Sequence, residues 1–216
     1  MYFPYGETEI NYLAKKDKRL GEAMARIGHL ERPVEDDLFS SVVHQIVGQQ
    51  ISMKAQATIW QRMLDALGDI SAETICAAEP ERLQSLGLSF RKVDYIRDFA
   101  EKVRSGTLDL DALYGMDDEA VVEELVKLKG IGRWTAEMLM LFCMKRPNIF
   151  SCDDLAIQRG LRMLYRHKTL DRARFERYRR RYSPYASTAS LYLWAISGGA
   201  IPELTDPAVK KGAKRK

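Results

Sequence analysis

Residues Leu125–Gly160 read LVKLKGIGRWTAEMLMLFCMKRPNIFSCDDLAIQRG, and this stretch decides the fold. Apolar residues recur on one side of Glu119–Leu128, which predicts an amphipathic helix. A second helix is predicted from Arg133 to about Lys145, after a short glycine-containing turn. Two adjacent acids, Asp153 and Asp154, then stand at the start of a third helical pattern. The stretch therefore predicts two packed helices followed by a carboxylate pair.

The turn between the first two helices has the sequence Gly130-Ile131-Gly132. Glycine permits a tight, partly left-handed backbone, and Ile131 is placed to enter the core. The small Ala136 lies where the two helices should pack. Since the first amides of a helix have no partners within it, the start of the second helix suits a phosphate. The pattern predicts a DNA-binding helix–hairpin–helix, and an ordinary connection between packed helices is the alternative.

The carboxylate pair has two interpretations. Pro147 should end the second helix, and Ser151, Asp153 or Asp154 can then cap the third. One cap satisfies one helix, so the second acid is either solvated or available for catalysis. Spacing alone leaves both interpretations open.

Two strings, Gly-Ile-Gly-Arg-Trp-Thr-Ala and Asp-Asp-Leu-Ala-Ile-Gln-Arg-Gly, with an upstream Gly-Gln-Gln-Ile-Ser, carry a family resemblance. Together they resemble the helix–hairpin–helix base-excision DNA glycosylases, in the 3-methyladenine DNA glycosylase II branch. The resemblance covers about Tyr12 to Leu204. It implies that Asp154 is the catalytic acid, with Asp153 as the helix cap.

The same resemblance implies a monofunctional enzyme that hydrolyses the N-glycosidic bond of alkylated purines (3-methyladenine or 7-methylguanine type) in duplex DNA. Bifunctional relatives carry a Schiff-base lysine after the hairpin, where this chain has Trp134. Lys127 and Lys129 lie before or within the turn and do not match that position. The expected product is an abasic site in an uncut strand, within base excision repair.

Contacts with damaged double-stranded DNA are expected from two segments. By resemblance, Gln50 is the wedge that fills the space left by the flipped base. The expected DNA-contacting residues are Gln49, Ser52, Gly130, Ile131, Gly132, Arg133, Trp134 and Thr135. A bound Na⁺ or K⁺ at the hairpin would be held by the main-chain carbonyls of Val126, Leu128 and Ile131.

The base pocket is expected to be lined by Trp134, Met138, Leu155 and Trp194. Relatives carry aromatic residues at two positions where this chain has Met138 and Leu155, which leaves the lesion spectrum open. Trp194 is equally well explained as a core residue. A glycosylase of the same fold for oxidised or deaminated bases is therefore an alternative function.

The composition fits this interpretation without requiring it. The chain has 216 residues, 46% of them hydrophobic and 30% charged, with a net charge of +4. Three scattered cysteines suit a reducing compartment. Some members of the family that the chain resembles carry an iron–sulfur cluster on four closely spaced cysteines near the C-terminus, and because Cys152 is the last cysteine here, no such cluster is expected. We expect no required cofactor, no membrane span and a monomer. The expected location is cytoplasmic, associated with the nucleoid or, in a eukaryote, nuclear.

No segment shows sustained period-two alternation, so the predicted fold is all-α, with two helical subdomains and a cleft between them. Residues 36–145 should form a six-helix subdomain that ends in the hairpin. Residues 1–35, with one N-terminal helix from Asn11 or Asp17 to Ile27, and 146–206 should form the second. Residues 207–216 read as a disordered basic tail.

Two further alternatives have no chemistry. A DNA-binding module would use Asp154 only as a cap, and would bind DNA without forming an abasic product. A helical protein-interaction domain would use the hairpin as a plain turn, and would show no salt-dependent DNA binding. A basic zone after Gly160, rich in arginine and tyrosine, favours a nucleic-acid partner over this last alternative.

Overall fold

The computed structural model describes residues 1–208, and within them the fold is all-α as predicted. The one β feature of these residues is an isolated bridge between Tyr2 and Pro33. Twelve α-helices are present in the described chain: α1 Glu7–Lys16, α2 Lys18–Ile27, α3 Leu38–Gly48, α4 Met53–Leu67, α5 Ala72–Ala77, α6 Pro80–Ser85, α7 Phe90–Arg104, α8 Asp118–Leu125, α9 Arg133–Phe142, α10 Leu155–Tyr165, α11 Arg172–Tyr182 and α12 Ala186–Ser197. From residue 209 onward, the predicted basic tail lies outside the described residues.

The helices form two compact units. The hairpin unit is Glu35–Met144, and it contains α3 to α9 and a 3₁₀ turn at Ala112–Gly115. Seven α-helices replace the six expected, because the segment between Gly68 and Gly87 folds as two short helices, α5 and α6. The carboxylate unit is Met1–Val34 together with the residues from Lys145 onward, and it contains α1, α2 and α10 to α12.

Side-chain caps mark most helix starts in the hairpin unit. Asp37, Ser52, Ser89 and Asp117 accept hydrogen bonds from first-turn amides of α3, α4, α7 and α8. The expected break between α3 and α4 is confirmed at residues 49–52. Helix α9 ends at Phe142 rather than near Pro147, because the chain turns early and Lys145 adopts a left-handed backbone with φ 56°.

The N-terminal segment of the carboxylate unit differs from the single helix expected there. It forms α1 and α2, and the chain breaks at Asp17, whose carboxylate accepts a hydrogen bond from the Leu20 amide. Asp17 is buried because Arg181 pairs with it, with 2.5 Å between Nη1 and Oδ2. A buried, paired acid therefore sets the corner between α1 and α2.

Helices α10 and α12 form the centre of the carboxylate unit and pack at very short range. A Cβ built on Gly160 would lie 2.3 Å from the carbonyl oxygen of Leu193. Only glycine allows this approach, which brings the start of α10 beside the end of α12. No helix among the described residues has the length and apolarity needed to cross a membrane.

We predict that Gly160→Ala lowers the free energy of unfolding by about 1–3 kcal/mol, because the new methyl group forces α10 and α12 apart. Urea denaturation followed by circular dichroism measures the change. Gly115→Ala is the matched control, since its Cβ meets no atom within 4 Å. Equal stability of the two variants would contradict the packing described.

Candidate active site and nucleic-acid interface

Asp154 begins α10 and is 6% exposed. Its Oδ1 accepts hydrogen bonds from the amides of Ala156 at 2.9 Å and Ile157 at 2.8 Å. The prediction that Asp153 caps this helix is wrong: Asp154 is the cap and Asp153 is exposed. Two amides of a helix start, where the helix dipole is positive, stabilise the ionised carboxylate.

Trp194 contributes a third donor to the same oxygen. Its indole Nε1 donates to Oδ1 of Asp154 at 3.0 Å. The indole ring is partly buried and packs against the core of the carboxylate unit. A carboxylate oxygen offers about two lone pairs, so three N–H donors saturate Oδ1.

The extended segment before Asp154 is fixed to α12. The hydroxyl of Ser187 donates to the carbonyl of Arg146 and accepts from the amide of Ile149 at 2.8 Å. The hydroxyl of Ser190 donates to the carbonyl of Ile149 at 3.1 Å. These bonds hold the chain that leads into the carboxylate on the same helix that carries Trp194.

The hairpin turn has the predicted geometry. Gly130 has φ +82°, and a Cβ there would lie 2.5 Å from the ring of Tyr95. Ile131 is 4% exposed, and its amide donates to the carbonyl of Leu128 at 3.1 Å. Helix α9 begins at Gly132, which has no side chain to cap the first-turn amides. This helix start therefore presents backbone N–H groups rather than a capping side chain.

Arg133 acts within the hairpin. Its guanidinium bonds both carboxylate oxygens of Glu119 on α8, at 2.8 and 2.5 Å, and lies 3.3 Å from Glu137. The bond to Glu119 raises the pKa of the guanidinium, although partial burial opposes this shift. Since the side chain links α8 to α9, the DNA contact expected of Arg133 is left to its backbone amide.

The loop between α3 and α4 touches the hairpin turn. The side chain of Gln49 donates from Nε2 to the carbonyl of Gly130 at 2.7 Å. Gln50 is exposed and adopts φ 60°, a backbone conformation that non-glycine residues rarely take. Ser52 accepts from the amide of Ala55 at 3.2 Å and caps α4. The structure thus brings together two predicted DNA-contacting segments.

The remaining predicted residues differ in exposure. Trp134 at the start of α9 is 43% exposed and Leu155 is 78% exposed. Thr135 and Met138 are buried, and both lie on α9.

Sequence reasoning missed two contacts, Trp194 with Asp154 and Gln49 with Gly130. No local pattern reports bonds between residues 40 and 81 positions apart.

A family model of HhH-GPD superfamily base excision DNA repair proteins matches residues 43–184. The chain belongs to this superfamily. The matched range contains the α3–α4 loop, the hairpin and Asp154, but ends before Trp194. The predicted assignment to the superfamily, and to its 3-methyladenine glycosylase branch, is confirmed.

Individual HhH-GPD proteins resemble this chain over most of its length. DNA-3-methyladenine glycosylase 1 of Schizosaccharomyces pombe is 28% identical, over 95% of this chain and 91% of its own. The same fission yeast enzyme, in complex with abasic DNA, superposes with a TM-score of 0.76 over 88% of this chain and 97% of the solved chain. The DNA-3-methyladenine glycosidase of Bacillus halodurans is 35% identical, with a TM-score of 0.85 over 94% and 95% of the two chains.

A longer HhH-GPD relative, YfjP of Bacillus subtilis, is 31% identical over 73% of this chain. The chain spans only 58% of YfjP. The chain therefore matches only part of this longer relative.

We predict that Gly130→Ala weakens DNA binding and destabilises the hairpin unit, whereas Gly132→Ala leaves stability nearly unchanged. Gly130 needs a positive φ and touches Tyr95, whereas Gly132 has an ordinary backbone and open space around it. The positive φ alone costs an alanine about 1–2 kcal/mol. Thermal denaturation and fluorescence anisotropy with duplex DNA measure both effects. Equal melting temperatures for the two variants would refute the turn geometry.

Proposed function

We propose that this HhH-GPD protein is a monofunctional DNA glycosylase that hydrolyses the N-glycosidic bond of alkylated purines in duplex DNA and leaves an abasic site. The observation that carries the proposal is the buried carboxylate of Asp154, held by three N–H donors. A helix that needs a cap needs only one or two of these bonds. The third, from Trp194, orients the carboxylate more strictly than capping requires.

The chemistry follows from that orientation. Breaking the C1′–N bond develops positive charge on the sugar, as in glycoside hydrolysis. An ionised carboxylate whose Oδ2 faces the sugar stabilises this charge and orients the attacking water, while the three donors hold Oδ1. An N-alkylated purine already carries positive charge, so it leaves with little help from a general acid. Asp154 is therefore the catalytic residue, and Trp194 positions it.

Binding of the substrate uses the hairpin unit. The first amides of α9, at Gly132, Arg133 and Trp134, together with the Gly130 amide, suit a backbone phosphate. A Na⁺ or K⁺ ion bound by the carbonyls of Val126, Leu128 and Ile131 would add positive charge beside this phosphate. The carbonyl of Leu128 already accepts one hydrogen bond, but a carbonyl oxygen has a second lone pair that can bind the ion. The reaction itself requires no cofactor.

When a damaged base is flipped out of duplex DNA, a protein side chain must fill the gap that it leaves between the stacked base pairs. Gln50 suits this role because its exposed side chain stands on a constrained backbone, in a loop that Gln49 fastens to the hairpin. The side-chain amide can also bond the orphaned partner base. The base-pocket roles predicted for Trp134, Met138, Leu155 and Trp194 stay part of this proposal, and aromatic faces favour electron-poor alkylated purines.

The lysines near the hairpin support a monofunctional reaction. A Schiff base requires a neutral amine, but Lys127 pairs with Glu124 at 2.6 Å, and Lys129 lies 3.2 Å from Asp98 and 3.3 Å from Asp94. Hydrogen bonds to Asp98 and then Asp94 raise the pKa of Lys129. The charged form of the Lys129 amine is therefore favoured. We propose that the protein acts as a monomer, in the compartment that holds the genome.

Asp154→Asn should reduce the rate of release of 7-methylguanine and 3-methyladenine from methylated duplex DNA by about a hundredfold or more. This is the usual effect of removing one group that stabilises the charge of a transition state. DNA affinity and stability should remain, because the asparagine carbonyl can still cap α10. Single-turnover release, with alkali added afterwards, measures the loss and shows that strand breaks need alkali.

Asp153→Asn is the matched control and should release bases at the wild-type rate. Wild-type release by Asp154→Asn would refute the catalytic assignment. Strand breaks without alkali would refute the monofunctional one. If wild type releases no alkylated base, a panel of duplexes with oxidised or deaminated bases tests the alternative substrates.

Replacing Trp194 by phenylalanine, or by 3-benzothienylalanine in which sulfur replaces the N–H, should slow base release about tenfold. The lost hydrogen bond to a charged group is worth about 1.5–3 kcal/mol. DNA affinity should not change, since the ring remains. Trp60→Phe serves as the control, because Trp60 packs at a tilt against His44 in the hairpin unit. A benzothienylalanine protein with the wild-type rate would show that the ring acts only by packing or stacking.

A further inference from the structure

Helix α10 carries different chemistry at its two ends. Asp154 caps its N-terminus, and Arg166 lies at its C-terminal cap. The two caps are 12 positions apart in sequence, so at 1.5 Å per residue they lie about 18 Å apart. Arg166 belongs to a group of cations at that far end, here called the distal patch: Arg19, Arg166, Arg174 and Arg177.

The distal patch is built by the corner between α1 and α2. Arg181 on α11 pairs with the buried Asp17, and the hydroxyl of Tyr12 on α1 donates to the carbonyl of Ser183 at 2.6 Å. These bonds fix α1 and α2 against α11. Arg19 on α2 is thereby placed beside Arg174 and Arg177 on α11.

The charges of the patch act on a common neighbour, His167. Burial lowers the pKa of this imidazole most, and the charges of Arg174, Arg19 and Arg177 lower it further. Arg19 and Arg166 also line one cavity of about 360 Å³, whose wall includes the buried apolar Leu164 and Ile201. Four guanidinium groups from three helices therefore share one surface.

Most of these cations lack acidic partners. Within residues 1–208, no carboxylate lies within 4.0 Å of the side-chain nitrogens of Arg19, Arg166 or Arg177. Arg172 and Arg179, on the same helix α11, instead pair with Glu176 at 3.6 and 2.6 Å. Glu22 also lines the cavity, but its carboxylate lies 3.9 Å from the amine of Lys18. Grouped like charges that are not paired repel one another, so an anionic partner would stabilise the surface.

The backbone of Arg166 adopts an unfavourable conformation. Its φ of 57° and ψ of 38° are left-handed, the conformation that glycine commonly supplies at a helix C-terminus. An arginine at this position keeps its charge on the surface at the expense of local strain.

We propose that the distal patch binds the phosphate backbone of a second DNA segment while the site around Asp154 engages the first. Several guanidinium groups match the spacing of a polyanion better than that of a single small ion, and they pair with phosphate oxygens by two N–H donors each. The two ends of α10 point in opposite directions, which turns the patch away from the catalytic carboxylate. This role goes beyond base release, which needs one segment. It would allow direct transfer between DNA segments during the search for damage.

Dissociation kinetics test the proposal on the full chain. The complex with a short labelled duplex that carries a non-cleavable abasic analogue is mixed with unlabelled, undamaged duplex at rising concentrations in a stopped-flow instrument. A protein that holds two segments dissociates faster as the competitor rises, whereas a one-site protein dissociates at a constant rate. The patch variant is Arg19→Gln with Arg177→Gln. The control is Arg172→Gln with Arg179→Gln, which removes the same charge from α11 outside the patch.

Wild type and control should show rates that rise severalfold with competitor, and the patch variant a rate that stays constant. A constant rate for wild type, or a rising rate for the patch variant, would overturn the proposal. So would a patch variant that binds the short duplex tenfold more weakly than the control, because the patch would then contact the first segment. Melting temperatures verify that both variants are folded. Base release is not measured here, so a chain inactive on alkylated DNA could still pass this test.

Discussion

Three N–H groups meet one carboxylate oxygen in this protein, and the proposed chemistry depends on that convergence. Two of them, from Ala156 and Ile157, belong to the start of α10, and the third belongs to Trp194 on α12. The helix end would leave its amides unsatisfied without Asp154, so folding itself keeps the carboxylate buried. The proposed catalytic role would fall on the residue that caps the helix, and the close approach of α10 and α12 at Gly160 makes the arrangement possible.

In the hairpin unit, too, single residues make more than one structural contact. Gly130 lies against Tyr95, and its carbonyl accepts the side chain of Gln49. The turn that offers amides to a phosphate is thus fastened to the loop that carries Gln50. Arg133, for which the sequence predicts a DNA contact, holds α8 and α9 together through Glu119. In the proposed function, a phosphate at this helix start would meet backbone N–H groups, so its binding would depend on the shape of the turn.

Sequence reasoning located the features that have short-range causes. The glycine turn and the all-α class follow from local propensity and period. Spacing left Asp153 and Asp154 both open as the cap, and the choice of Asp153 was wrong, because two adjacent acids fit the same helix start and burial decides. The sequence could not predict the hydrogen bond from Trp194 to Asp154, since that bond depends on how α10 and α12 pack. The early end of α9 was missed because Pro147 is the stronger local signal, while the turn at Lys145 comes before it.

The most direct test of the central claim is a crystal structure of the protein bound to duplex DNA that contains a pyrrolidine abasic analogue, whose cationic ring nitrogen mimics the charged sugar. We expect Oδ2 of Asp154 within hydrogen-bonding distance of that nitrogen, and Oδ1 still bonded to the amides of Ala156 and Ile157 and to the indole of Trp194. A pyrrolidine nitrogen that contacts another group, with Asp154 bonded only to its own helix, would contradict the account and reduce Asp154 to a cap.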